Sequence, residues 1–377
     1  MPWNARNLMS LRREFVVLAQ QESANVSALC RYYGISRKTA YKWLERGADD
    51  TADRSRQPHR SPERTAASVE QKLLRVRDRF PAWGARKLKR FLENAGESDL
   101  PAVSTITAVL RRHGRLWPAA SSTAKPWERF EHPEPNALWQ MDFKGHVAMS
   151  TGRCHPLTVL DDHSRFNVLL QACSGESLQN VQTPLIRCFQ TYGLPAAICC
   201  DNGSPWGTMQ REDRLTTLGV WLIQLGIRLI HARPCHPQTN GKDERFHRTL
   251  NIELLQRRVL ADLDDAQHAL DAFRDDYNLI RPHQAIGMNV PASRYRPSDR
   301  RYPATLPPVE YDDQFPIRTV DASGKIDFLG RRYRIGKALR SQRVALRPDT
   351  ENDGQFTVYF CHQPVRSIDL HQSDGAD

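Results

Sequence analysis

Apolar residues recur at helical spacing over the first third of the chain, and the period then changes. In NVSALCRYYGISRKTAYKWLERG, Asn25 to Gly47, the residues Val26, Leu29 and Tyr33 fall on one helix face. Gly34 supplies a turn, and Ser36 is placed to cap a second helix. That helix turns Ile35, Ala40 and Leu44 toward the first and leaves Arg37, Lys38 and Lys42 on a polar face. This is the pattern of a helix-turn-helix unit, although a plain helical hairpin has the same periodicity. Three more helices are predicted: Ser68 to Phe80, Trp83 to Glu93, and one within PAVSTITAVLRRHG that ends at Gly114.

Beyond that point strands and helices alternate. ALWQMDFKGHVAM, CHPLTVLDDHSRFNVLLQAC and AAICCDNG read as strands, while NVQTPLIRCFQTYG and TTLGVWLIQLG read as helices, which predicts an α/β domain with a mixed sheet. After Gly287 the helical pattern stops, and residues 315–370 alternate apolar and polar between Gly and Asp turns, as in a small β-barrel or sheet. The polar, proline-bearing stretches Asp49 to Thr65 and Leu116 to Pro135 read as linkers. The expected fold class is therefore multidomain. All-α modules span 1–48 and 66–115, a mixed-sheet α/β domain spans 131–300, and a small β-rich domain spans 315–370.

Length and composition bound the partners. With 377 residues and 40% hydrophobic composition, the chain can bury two or three cores. No apolar run approaches the roughly 20 residues that cross a bilayer, and MPWNARNLMS lacks the apolar centre of a signal peptide. A soluble cytoplasmic protein, with no membrane partner, is the expectation. The eight cysteines form no CxxC; Cys199-Cys200 sits in an apolar run, and Cys235-His236 has no second ligand pair. Buried thiols are expected, in place of disulfides or zinc.

Charge adds location. Residues 1–130 hold 25 Lys+Arg against 13 Asp+Glu, whereas the remainder holds 29 against 30. Within that remainder, 318–347 carries nine basic residues against Asp321 and Asp327. Two basic modules thus flank a near-neutral middle, as expected if the ends grip phosphates; a solvated charged surface is the plain alternative. The candidate DNA contacts are Arg37, Lys38 and Lys42, then Arg86 and Lys87 in WGARKLKRFLE, and Arg331, Arg332 and Arg334 in the tail.

Three acids interrupt segments that should otherwise be buried. Asp142 projects from the strand face opposite Met141 and Phe143, Asp201 ends AAICCDNG ahead of an Asn-Gly turn, and Glu244 begins a helix bearing Phe246, Leu250 and Leu254. Clustered carboxylates persist only when something positive neutralises them, and a divalent cation with oxygen ligands, Mg²⁺ or Mn²⁺, suits them better than zinc.

Five motifs in order, WQMDF at Asp142, LDDHSRF at 160–166, DNGSPWG at 201–207, HPQTNGKDERFHRTL at 236–250 and YNLIRPHQAIG at 277–287, resemble bacterial insertion-sequence transposases with a retroviral-integrase-like DDE core. The resemblance covers most of residues 20–300, and it implies an RNase H-like fold with Asp142 on the first strand, Asp201 after the fourth and Glu244 on a late helix. It further implies two metal ions held by Asp142, Asp201 and Glu244, and DNA cleavage followed by strand transfer at one site. Double-stranded DNA, both element ends and target, is the implied partner, with at least a dimer on DNA in the bacterial nucleoid.

The family's third acid follows a Pro-Gln-x-x-Gly loop, here Pro237 to Gly241, and matches Glu244. Helix phase puts Asp243 with Phe246, Leu250 and Leu254, about 100° from Glu244, which lies beside His247, Arg248 and Asn251. Asp243 departs from the apolar residue expected there and stays open as an alternative ligand. The 43-residue interval from Asp201 to Glu244 is also wide, as an insertion at Ser204 to Leu215 would make it.

Other residues in these motifs carry secondary expectations. Asp161 and Asp162 are expected to form a turn and a salt-bridge network with Arg165, and Lys242 and Arg245 to meet DNA phosphates. His236 and His247 are read as phosphate contacts or structural hydrogen-bonding groups, and Arg281, Pro282 and His283 as structural. Two rival functions share these features: a nuclease without strand transfer, and a DNA-binding regulator with an inactive core. The N-terminal modules argue against the first, and the intact acids against the second.

Overall fold

A computed structural model of the chain describes residues 8–54, 64–116, 131–208, 215–231 and 241–371. Two compact units emerge, Met1–Arg64 and Thr65–Asp377. The first holds helices α1 (Leu8–Ala19), α2 (Val26–Tyr32) and α3 (Arg37–Arg46). Asn25 and Ser36 cap α2 and α3 with side-chain oxygens that accept the Ala28 and Thr39 amides at 3.0 and 3.1 Å. Gly34, at φ +62°, makes the turn between them. Phe15 and Val16 of α1 complete the core with Cys30, Ala40 and Trp43, so the helix-turn-helix needs a third helix that the pattern from Asn25 onward did not reveal.

In the second unit, α4 (Ala67–Arg79), α5 (Ala85–Asn94) and α6 (Val103–Arg112) close around Leu73, Trp83, Leu88, Ile106 and Leu110. The chain then runs through β1 (Trp139–Phe143), β2 (Val147–Ala148), β3 (Arg153–Asp161), β4 (Asn167–Cys173), α7 (Leu178–Tyr192), β5 (Ala197–Cys200), α8 (Thr217–Gln224), β6 (Arg228–His231), α9 (Gly241–Leu250) and α10 (Leu263–Asp275). The sheet is mixed. Strand β3 lies antiparallel between β4 and β1, while β5 runs parallel to β1 and β6 parallel to β5. The two-residue β2 is an addition, so Asp201 follows the fifth strand in chain order.

Strand alternation decides what each face carries. Trp139, Met141 and Phe143 join the apolar core with residues of α7 and α8. Gln140 and Asp142 therefore point the other way, where α9 and α10 cover the sheet through Phe246, Leu250, Leu270, Phe273 and Tyr277 against Leu160 and Leu170. Both covering helices end in π-helical turns, Asn251–Leu255 and Asp276–Ile280. The α4–α6 cluster rests on that layer: Ile280 packs into it, and the Trp83 indole N–H donates to Glu253 at 3.2 Å.

Past the core, Tyr295 stacks on Phe166 at 4.3 Å and Arg300 donates to the Pro195 and Gly226 carbonyls, strapping the chain across the sheet edge. The tail forms β7 (Ile317–Thr319), β8 (Lys325–Phe328), β9 (Arg331–Arg334), β10 (Arg343–Pro348), β11 (Gln355–Phe360) and β12 (Gln363–Asp369). These make a four-stranded antiparallel sheet, β12-β11-β10-β7, and a separate β8–β9 hairpin. Leu339, Val344 and Phe360 belong to the same apolar cluster as Trp221, so tail and centre share one core.

Six of the cysteines are buried free thiols and Cys361 is partly buried; Cys235 lies outside the described residues. No helix among the described residues is long and apolar enough to cross a membrane.

Candidate active site

The parallel register of β1 and β5 pairs Trp139 with Ile198 and Gln140 with Cys199. Continued by two residues, it carries Asp142 and Asp201 to the same end of the sheet. Asp142 is partly buried, and one of its oxygens accepts the Phe143 amide at 2.8 Å. Burial, and then the negative charge of Asp201, push its pKa up to about 7; Glu176 and Glu244 add to the effect against the pull of the Phe143 N–H. Asp201 is exposed, and His231 Nδ1 lies 3.2 Å from its carbonyl oxygen.

Helix α9 brings two more acids to this point, and burial separates them. Glu244 is exposed, whereas Asp243 is 0% exposed, facing the sheet with Phe246, His247 and Leu250. Thr158 stands opposite Asp142 in the β1–β3 register. Its hydroxyl lies 3.0 Å from the Asp142 carbonyl oxygen, 2.9 Å from Asp243 Oδ2 and 2.8 Å from His247 Nε2. Asp243 Oδ1 is buried without a hydrogen-bond partner. Burial and the Asp142 charge raise the Asp243 pKa well above the carboxylate range, and burial pushes His247 down to about 3. Both shifts favour the uncharged forms.

Asp142 thus lies within reach of the charges of both Asp201 and Glu244, and ligand atoms of Asp142, Asp243 and His247 all lie within 4.8 Å of each other. Carboxylates gathered this closely fit an oxygen-coordinated divalent cation.

The face of His247 and the partner of Arg165 are corrected, the turn at Asp161 is present, and two lysines meet acids within the fold. His247 lies on the buried side of α9 with Asp243, four residues away, and not on the polar flank beside Glu244. Arg165 pairs with Glu131 at 3.0 Å; Asp161 is occupied by the Ser164 and Asn136 amides, and Asp162 by Gln140, the His132 amide and Lys242. Lys242, expected at a phosphate, sits on Asp162. Lys87 is partly buried against Glu253, 3.8 Å away, and burial beside the Arg281 charge pushes its pKa down to about 8.

The remaining expected DNA contacts fall on surfaces. Arg37, Lys38, Lys42, Arg86 and Arg245 are exposed, although Arg37 also donates to Ser27 at 2.7 Å. Arg331 donates to the Leu370 carbonyl, Arg332 pairs with Asp321 and Asp327, and Arg334 is partly buried. Arg281 and His283 are buried structural groups, as expected. His236 and the loop from Pro237 to Asn240 lie outside the described residues, as does part of the expected insertion at Ser204 to Leu215.

Sequence reasoning missed Thr158, Gln140 and Glu253. Gln140 had a signal, since it shares the Asp142 side of a two-residue period, and Thr158 is the polar interruption of an apolar strand.

Known families match along the chain. A homeodomain-like domain matches residues 37–110, integrase core domains match 132–237 and 225–291, and the C-terminal domain of IS481 family transposases matches 316–375. An uncharacterized 39.2 kDa protein of insertion element IS476 from Xanthomonas euvesicatoria is 31% identical over 158 residues, covering 42% of this chain and 44% of that protein. The uncharacterized 31.7 kDa protein of insertion element IS407 from Burkholderia multivorans is 29% identical over 158 residues, covering 42% and 54%. The matched stretch thus spans about half of each relative. Among solved structures, a chain of the simian T-cell lymphotropic virus intasome is 16% identical, covering 78% of this chain and 99% of that one at a TM-score of 0.38, a likeness that carries nothing about function.

Proposed function

We propose that this chain, which belongs to the insertion-sequence transposases built on an RNase H-like integrase core, cuts the ends of a mobile DNA element and joins them to target DNA, using Asp142, Asp201 and Glu244. The observation that carries the reading is the crowding of these acids at one end of a mixed sheet, with Asp142 raised to about 7 by burial and its neighbours. Two Mg²⁺ or Mn²⁺ ions, when bound, supply the positive charge that activates a water or 3′-hydroxyl and stabilises the leaving oxygen.

Asp142, Asp201 and Glu244 would hold those ions. Glu244 and Asp201 are exposed, on the side from which such ions would arrive. Asp243 is enclosed with Thr158 and His247, which suits it to fix α9 against β3. Hydrolysis at an element end leaves a 3′-hydroxyl. That hydroxyl attacks a target phosphodiester in line, one P–O bond forming as another breaks, without a covalent protein–DNA link. The exposed Arg37, Lys38 and Lys42 of α3 face the end sequence, and Arg245 and the tail arginines meet phosphates, in an assembly of at least two chains on two ends.

The test is paired single-turnover cleavage of a labelled element end in Mg²⁺ by Glu244→Gln and Asp243→Asn, with binding measured separately. Glu244→Gln should lose cutting and joining while keeping binding, and Asp243→Asn should keep most activity. An active first variant and a dead second one would mean that Asp243 is the ligand. Cutting without joining in the unmodified protein would make it a nuclease, and binding alone a regulator.

A further inference from the structure

We propose that Asp162, in the turn after β3, is a positioning residue that seats the helix bearing Glu244 by holding Lys242, and that Lys242 is accordingly an internal anchor and not a phosphate contact. The inference rests on the reading of Glu244 as a metal ligand.

Asp162 is a buried acid beside the sheet. Every oxygen of it is used: Oδ1 accepts from Gln140 Nε2 at 2.9 Å and from the Lys242 ammonium, Oδ2 accepts the His132 amide at 2.8 Å, and its carbonyl oxygen lies 3.3 Å from Lys242 Nζ. A carboxylate taken out of water at this depth is tolerable only with such partners. Gln140 carries the link further, because its Oε1 accepts the Asp243 amide at 3.2 Å. That amide belongs to the first turn of α9, where backbone N–H groups have no carbonyl within the helix to bond.

Two consecutive residues at the start of α9 are therefore held by one pair, Lys242 by Asp162 and Asp243 by Gln140. Gln140 stands two residues before Asp142 on the same face of β1. The strand that presents Asp142 and the helix that presents Glu244 are thus tied through shared side chains, and Glu244 is the next residue along the anchored turn. A lysine free to grip phosphate would have its ammonium in solvent; this side chain is mostly buried and its charge is spent on Asp162.

The experiment uses the full chain with Lys242→Met, Asp162→Asn, the double variant, and a Glu244→Gln control. Mn²⁺ binding is followed by the electron-paramagnetic signal of the free ion, and affinity for a random-sequence duplex is measured across a salt series. Lys242→Met and Asp162→Asn should each weaken Mn²⁺ binding about tenfold, and the double variant no more than either alone, since they remove one interaction. The salt slope of Lys242→Met should equal that of the unmodified protein. A slope lower by about one, with Mn²⁺ binding intact, would mean a lost phosphate contact and overturn the inference. If Asp162→Asn does not fold, Lys242→Met carries the test, with Lys242→Arg expected to recover part of the Mn²⁺ affinity. A Glu244→Gln control that binds Mn²⁺ normally overturns the ligand reading and this inference together; a control that loses binding beside an unaffected Lys242→Met overturns this inference alone.

Discussion

Glu253→Gln should loosen the α4–α6 helices from the catalytic core. Glu253 begins nowhere near the proposed ligands in function, yet it lies on the π-helical turn that continues α9. Its carboxylate takes Arg281 Nη2 at 2.8 Å and Nε at 3.0 Å, the Trp83 indole at 3.2 Å and Lys87 at 3.8 Å. Burial works to raise its pKa, but the charge and hydrogen bonds of Arg281, with Lys87 and Trp83, hold it below the usual range. Glutamine keeps the shape and one acceptor while stranding the buried Arg281 and the partly buried Lys87. Breaking a buried pair from one side costs about 3–5 kcal/mol. Lys87, already down at about 8, can shed its proton and relieve part of that, so the lower end, about 3 kcal/mol, is the expectation.

Native-state hydrogen exchange reads this directly, since α4–α6 close around an apolar cluster separate from that of the sheet. Amides in residues 67–112 should exchange roughly 150-fold faster, while those of β3 change little. Lys87→Met in the same chain should recover part of the loss, because it removes one stranded charge. An acceleration below about fivefold in α4–α6 would refute the idea that Glu253 holds this interface.

Other predictions follow from the site and the surfaces. With the folded pKa of Asp142 at about 7 and the unfolded value at about 3.9, the folded chain binds the extra proton between those limits, so metal-free stability should fall as pH rises from about 4 to about 7. Asp142→Asn should abolish that component in thermal melts and also the stabilisation by Mg²⁺ above pH 7; an unchanged pH slope would count against it. Removing Met1–Arg64, a compact unit by itself, should leave salt-sensitive DNA binding but erase preference for element ends in competition gel shifts. Replacing Arg331, Arg332 and Arg334 by Ala should weaken binding alike for all sequences and lower the salt slope by up to about 3, and a slope identical to the parent would exclude phosphate contact.

Much of the fold was legible because periodicity reports burial. The cap at Ser36, the mixed sheet and the turn of Asp142 away from Met141 and Phe143 all come from local chemistry or a two-residue alternation. Other features depend on distant partners. Helix α1 has an apolar pattern that gains meaning only from Trp43 and Cys30, far along the chain. Lys87 and Lys242 look like any basic residue on a polar helix flank. Their partners in the fold, Glu253 and Asp162, lie 166 and 80 residues away in sequence. Helical phase misjudged His247 for a related reason: it sits near the boundary between faces, and the hydroxyl of Thr158 on the facing strand gives it a polar partner inside.

The adjacent acids Asp243 and Glu244 show how one helical step divides labour in such a site. A cation arrives from water and must find oxygens that water can reach. Glu244 and Asp201 are exposed and Asp142 is partly so, whereas Asp243 is closed off by Thr158, His247 and the sheet. Opening Asp243 to an ion would cost its hydrogen bonds and the packing of Phe246 and Leu250 beside it. Burial and the neighbouring Asp142 charge favour its protonated form. A carboxyl closed off in this way favours its uncharged form and adds little negative charge beneath the proposed ligands, which eases the approach of DNA phosphates.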